Sequence, residues 1–393
     1  MRFYQLITFG ALLVLPFFPR QLNPWITYII TAYAIALVPL FVRNFRINLV
    51  TVCFSLFLIA SVLSTIFSID KIQSLAAFTL FVSYFIIFVS IGSVFKSFQN
   101  KERFAGIFLF VVFILSQVSL YTTLVQGMVN KEREGVGFMW VYYGHNHLSS
   151  LLLFAIPICF YFLNTYWSNR IYRAASLFVL FVLLFSFFFT FARASLVALV
   201  LALLVSFVLF RKALNQKKAL IFFVPLLVGI VFIGLSITRA KNFGVGKYEL
   251  NWPSRTIYWL QAFDNASERL LTGSGLDTFR IMNRQSQRTG AINTYYAHNF
   301  FLQMLSDVGI LGFFSSAFLI FSVLFASFEK VTKKLKFDTA RLRQSQIELK
   351  KKEAFLLIAF WVGLLASTFN SMVDFDWQLP TVFFVFWMTA GMF

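Results

Sequence analysis

The sequence predicts an all-α fold, a polytopic membrane helical bundle of about twelve transmembrane helices with one long outer loop carrying short helices. Two observations carry this reading. Of 393 residues, 59% are hydrophobic and only 12% charged, too little polar surface to wrap a soluble core of that size. The chain is also a succession of apolar runs of about 18 or more residues, the length of a bilayer-spanning helix.

Taken in order, the runs fall near 3–18, 22–42, 47–68, 72–94, 104–125, 147–167, 174–192, 194–210, 219–237, 299–327, 354–373 and 378–393. The first follows Met1-Arg2 and ends at Pro16-Phe17-Phe18-Pro19. It has the outline of a secretion signal but no small-residue cleavage site, so it is expected to remain as a first helix. The stretch 174–210 is apolar except for Arg193 and is split there, because one straight helix of that length would overshoot the bilayer nearly twofold. The whole chain, 1–393, reads as a single integral membrane domain. Two connections are long. The segment 329–353 is basic and helical in pattern, a cytoplasmic anchor touching anionic lipid. The segment 238–297 mixes Arg, Tyr, Trp, Asn and Gly, with an amphipathic helix around Ser254–Phe263; a loop of that length needs its own structure or a function.

Charge sets the orientation. With the N-terminus inside, twenty-one Lys and Arg fall on the cytoplasmic side, and five fall in short loops on the other. Short-loop positive charge marks the cytoplasmic face, so both termini are expected there. The same rule accounts for the net charge of +19 without a nucleic-acid partner, and the 55 Phe suit lipid-facing helices better than base-stacking platforms. Cys53 and Cys159 fall inside apolar runs and read as small buried hydrophobes. No internal repeat supports an inverted-repeat transporter.

The chemically interesting residues collect on the outer side. Arg193 stands in almost wholly apolar surroundings, FFFTFARASLVAL, at a hairpin tip, where a guanidinium either snorkels to headgroups or meets an anion. Arg255, in WPSRTIYWLQAF, is either an interfacial anchor or a fork that grips phosphate bidentately. His298 and Asn299 sit at a helix mouth in YYAHNFFLQMLSDVGILGF. A histidine there is either hydrogen-bonded structure or a general base, since imidazole titrates near neutrality. Gln303 follows one turn in and Asp307 about two turns deeper, a carboxylate expected to face the bundle interior. His145, His147 and His298 could supply three zinc ligands, but no H-E-x-x-H helix or cysteine ligand accompanies them. There is no Walker A loop, dinucleotide fingerprint or G-x-S-x-G elbow. No cofactor and no metal are expected.

The motifs YYGHNHLSSLLLFAIP, TFARASLVALVLAL, SRTIYWLQAF with LLTGSGLDTF, and AHNFFLQMLSDVGILGF occur in the order and spacing of a known group. The chain resembles the O-antigen ligase and polymerase superfamily of bacterial membrane glycosyltransferases over nearly its whole length. The resemblance implies an inverting-type transfer, independent of metal and ATP, of a glycan from an undecaprenyl diphosphate carrier to an acceptor hydroxyl. The acceptor would be lipid A–core in a ligase, or a second lipid-linked glycan in a polymerase. The location implied is the inner membrane, with the site on the periplasmic side. The family's hairpin arginine falls on Arg193, its loop arginine on Arg255, its loop-end histidine on His298 and its glycine pair on the 273–275 turn. Catalytic candidates are thus His298, Arg255 and Arg193; substrate-binding candidates are Arg193, Arg255, Asn299, Arg280, Tyr143 and His145. Ligation leads, repeat-unit polymerisation being the alternative. A lipid-glycan flippase would instead need coupling charges along a central path.

Overall fold

The computed structural model describes residues 2–17, 24–129, 145–190, 192–211, 252–285, 294–336 and 343–393. They form α1 (Arg2–Val14, continued by a 3-10 turn at Leu15–Phe17), α2 (Pro24–Asn44), α3 (Leu49–Ile66), α4 (Lys71–Val94), α5 (Phe98–Val129), α6 (His145–Thr165), α7 (Arg170–Thr190) and α8 (Arg193–Phe210). After an interval come α9 (Trp252–Glu268), α10 (Phe279–Gln285), α11 (Phe300–Leu335), α12 (Gln344–Ser371) and α13 (Pro380–Ala390). Among the described residues there is no strand, and nine helices are long and apolar enough to cross a membrane. The protein is an all-α, multi-pass membrane bundle. Eleven of the expected runs are helices; 219–237 lies outside the described residues.

Local chemistry sets the helix starts. Asn48 accepts from Thr51 N–H at 3.1 Å while its own N–H donates to Thr51 Oγ1 at 2.9 Å, a reciprocal cap for α3. Asp70 caps α4 through Gln73 N–H at 3.0 Å, and Pro380 occupies the first turn of α13, where its missing N–H costs nothing. The break between α7 and α8 falls at Ala192, as the Arg193 split anticipates. The expected basic loop at 329–353 is largely helix, because α11 runs on to Leu335 and α12 begins at Gln344.

Helix α12 forms the axis, buried along almost its whole apolar length and packed on α6, α8 and α11. Lipid is as apolar as a side chain, so close van der Waals contact rather than water exclusion binds such helices. Aromatic rings supply much of it here. Phe300 meets Trp377 at 4.9 Å and Trp377 stacks on Phe383 at 5.1 Å. Phe54 meets Trp387 at 4.6 Å.

The segment after α9 is pinned into a break in α11. Gly309 has φ 73° and ψ −165°, which releases the carbonyls of Ser306 and Asp307 from the helix ladder. Ser274 N–H donates to the first at 3.1 Å and Gly275 N–H to the second at 2.8 Å; Ile310 N–H returns a bond to Leu270 O at 2.8 Å. Ser64 Oγ also donates to Asp307 O at 2.7 Å, and Ile69 N–H to Ser274 O at 2.9 Å. Asp307 is buried, as expected, but it lies beside the α3–α4 turn rather than deep in the bundle. The lock requires glycine. Gly273 has φ 66°, and an added Cβ would strike the Asp307 backbone. Left-handed backbone alone costs a side-chain-bearing residue about 1–2 kcal/mol. Gly273→Ala should therefore lower the thermal midpoint in detergent clearly, whereas Gly10→Ala, whose Cβ meets nothing within 4 Å, should not. Equal midpoints for the two variants would disprove the lock.

Candidate functional site

The site gathers at the bundle end where α6, α8, α11 and α13 begin. Its centre is Asp374, in the turn between α12 and α13, with a side chain only 3% exposed. Its Oδ1 accepts from Asn146 Nδ2 at 3.1 Å, from Phe375 N–H at 2.9 Å and from His298 Nδ1 at 3.3 Å. Its Oδ2 accepts from Arg255 Nη2 at 3.3 Å. Burial works to raise the Asp374 pKa, but the His298 bond and charge, the Arg255 charge and the Phe375 N–H outweigh it and hold the group below the usual carboxylate range. Two residues on, Asp376 is fully buried and accepts from Asn370 Nδ2. Burial and the neighbouring Asp374 charge push its carboxyl well up, against smaller opposing effects of Ser150 and Arg255. Two aspartates in one turn are thus pushed in opposite directions.

Arg255 is delivered by α9. Tyr258, Gln261, Ala262, Asn265 and Ala266 form its buried stripe at helical spacing, while Leu260 and Phe263 face out. Gln261 Nε2 donates to Asn265 Oδ1 at 3.0 Å, and Asn265 Nδ2 to Ser306 Oγ at 3.2 Å, which ties α9 to α11. The helix foreseen around Ser254–Phe263 is present and longer. Arg255 stands one turn before Tyr258 on the same stripe and remains 29% exposed.

His298 has φ 54°, a left-handed conformation that persists only where its surroundings fix it. Those surroundings are Tyr258, stacked at 5.6 Å, and Phe375, edge-on at 4.9 Å. The ring is 22% exposed. Asp374 offers His298 Nδ1 an acceptor; in the tautomer that donates this bond, Nε2 is the nitrogen left to act as a base.

Arg193 opens α8. Two residues on, Ser195 Oγ meets Ser149 Oγ at 2.9 Å, Ser149 Oγ donates to Asn146 O at 3.0 Å, and Asn146 reaches Asp374. The starts of α6 and α8 are therefore coupled to the carboxylate that holds Arg255 and His298. Asn299 is committed to the fold: Oδ1 caps α11 through Leu302 N–H at 3.0 Å, and Nδ2 donates to Met372 O at 2.7 Å. That second bond holds the Asp374 turn against His298. Arg280 on α10 lies over the Tyr295 ring at 4.8 Å. Tyr143 and the side chain of His145 lie outside the described residues. His147 is buried with Nε2 3.1 Å from Pro16 O, at the turn that continues α1. Among the described residues no group of three His, Cys, Asp or Glu could hold a metal ion. Cys53 and Cys159 are buried and unpaired with each other.

Sequence reasoning missed Asp374, Asp376 and Asn146. The available signal was the pair in VDFDWQLP, two of only 15 acidic residues, in a turn that helix parity puts at the same end as His298.

The geometry sets an oriented imidazole beside the Arg255 guanidinium, near the starts of α6 and α8, whose positive ends favour an anion. Residues 178–317 match the family model described as O-antigen ligase. That stretch runs from α7 into α11 and includes Arg193, Arg255, Gly273, Gly275, Arg280, His298 and Asn299, but not Asn146 or Asp374. No curated protein matches the chain. The match supports the O-antigen ligase superfamily, and with it a glycosyltransferase of the ligase or polymerase type.

Proposed function

We propose, with the O-antigen ligase family as premise, that this protein moves a glycan from undecaprenyl diphosphate to an acceptor hydroxyl, ligating O-antigen to lipid A–core. The observation that carries the reading is Asp374 bonded at once to Arg255 and His298. The charge distribution of the loops supports an inner-membrane protein with both termini in the cytoplasm and the site on the periplasmic side, where ATP is absent.

The reaction then runs as a single inverting displacement. His298 Nε2 takes the proton of the acceptor hydroxyl as its oxygen attacks the anomeric carbon. The bond from that carbon to the diphosphate oxygen breaks on the opposite face. Undecaprenyl diphosphate leaves with the electron pair, and His298 later releases the proton to water. Asp374 stabilises the imidazolium as it forms. Arg255 and Arg193 meet the charge growing on the leaving diphosphate, aided by the positive ends of α6 and α8. Energy comes from the diphosphate linkage itself, so neither nucleotide nor metal has a role.

Purified protein in lipid should transfer glycan from the carrier-linked donor without ATP and in the presence of EDTA. Activity lost to EDTA and restored by zinc would overturn the metal-independent mechanism. Glycan profiling of a deletion strain separates the two family activities: unligated carrier-linked polymer of normal length means ligase, and single repeats on lipid A–core mean polymerase.

A further inference from the structure

The aromatic row that holds His298 continues past the residues used above. Phe375 leads to Tyr296, stacked at 5.6 Å and 13°, and Tyr296 adjoins Tyr295 at 6.3 Å. Beyond it the Arg280 guanidinium lies over the Tyr295 ring at 4.8 Å. Arg255, one turn from Tyr258, stands at one end of this row, Arg280 at the other, and His298 between them. Tyr295 is 41% exposed, whereas Tyr296 and Tyr258 are buried.

The Arg280 end is rigid. Asp277 has φ 61°; its N–H donates to Asp307 Oδ2 at 3.0 Å, while Gln73 Nε2 donates to its carbonyl at 2.6 Å and to its Oδ2 at 3.1 Å. Burial raises the Asp277 pKa to about 6, against smaller lowering effects of the Gln73 bond and the Arg280 charge. Arg280 Nε is buried without a hydrogen-bond partner, and its cation lies against the Tyr295 ring. A phosphate would gain nothing from the aromatic face. A sugar suits all three groups. Its C–H face covers an aromatic ring, and its hydroxyls take bonds from a guanidinium and give them to a carboxylate.

We propose that Tyr295, Arg280 and Asp277 form the subsite for the acceptor sugar, with the diphosphate at the Arg255 end and His298 at the junction. The proposal rests on the glycosyltransferase reading and assigns its second substrate.

Steady-state transfer onto purified lipid A–core, in proteoliposomes, tests it. Tyr295→Ala should raise the acceptor KM about tenfold, the loss of one ring contact, with donor KM unchanged. Tyr295→Trp, which keeps a platform, should stay close to wild type and shows that the Ala variant's defect is not misfolding. An unchanged acceptor KM in Tyr295→Ala, or an equal rise in donor KM, overturns the subsite. If the wild type transfers nothing, the enzymatic reading fails instead. Direct titration of delipidated core oligosaccharide then still decides the subsite: wild type should bind it and Tyr295→Ala should not, and equal binding rejects the proposal.

Discussion

His298→Ala is expected to lower single-turnover transfer by about 10²–10⁴, the range for removing a positioned general base, with donor binding little changed. The separation of effects follows from the geometry. The diphosphate would be held by arginines, and Arg255 keeps its Asp374 bond at 3.3 Å when the imidazole is gone. His298→Gln is the sharper variant. Glutamine can lie against Phe375 and give Asp374 a hydrogen bond, but it offers no basic nitrogen. If the rate of His298→Gln matches that of His298→Ala, the role is proton transfer. A rate near wild type would sink the general base and leave charge stabilisation by Arg193 and Arg255 as the main catalytic effect. Backbone strain needs its own control, because position 298 is left-handed. His298→Asn, with a residue that tolerates that conformation, should fold as well as wild type and still fail to turn over.

What was legible in the sequence was whatever a periodic or compositional rule controls locally. A run such as 47–68 has no alternative to a spanning helix once its length and apolarity are given, and the Arg193 break follows from bilayer thickness. Arg193, Arg255 and His298 stood out because each is a charged or titratable group in an aromatic or apolar setting. The interruption at Gly309 was not legible. SDVGILG reads as uninterrupted helix, and the break exists only because the Gly273–Gly275 backbone, over thirty residues earlier in sequence, takes up the two released carbonyls. Asp374 escaped for the same reason. Its importance is set by three partners from α6, α9 and the start of α11, none of them near it in sequence. Asn299, read from its position at the helix mouth, also caps α11 and bonds the Asp374 turn, a link to residues over seventy positions away that no local rule predicts.

Asp374→Ala should cost both stability and activity. Removing one partner of a buried ion pair destabilises by about 3–5 kcal/mol; the lower end applies here, because Arg255 and His298 are 29% and 22% exposed and water screens part of the loss. Asp374→Asn keeps the shape and removes the charge. Its amide oxygen can still take the Nδ1 proton, but nothing then offsets the imidazolium, and the other ring tautomer becomes competitive. In serine proteases the same carboxylate-to-amide change beside the catalytic histidine lowers turnover by about 10⁴; a fall of about 10²–10⁴ is expected here, on the same physical grounds. The neighbouring acid supplies the contrast. Burial and the Asp374 charge work against ionisation of Asp376, so Asp376→Asn should cost far less stability than Asp374→Asn. The pH dependence has a definite sign. The folded-state pKa of Asp374 is depressed, so its contribution is complete above the ordinary aspartate value of about 3.9 and is lost as pH falls from there towards the depressed value. The stability gap between wild type and Asp374→Asn should not shrink from pH 7 to about pH 5 and should close only on further acidification. A gap that already closes between pH 7 and pH 6 would mean that Asp374 is not the ionised partner of Arg255 and His298, and the proposed catalytic centre would have to be redrawn.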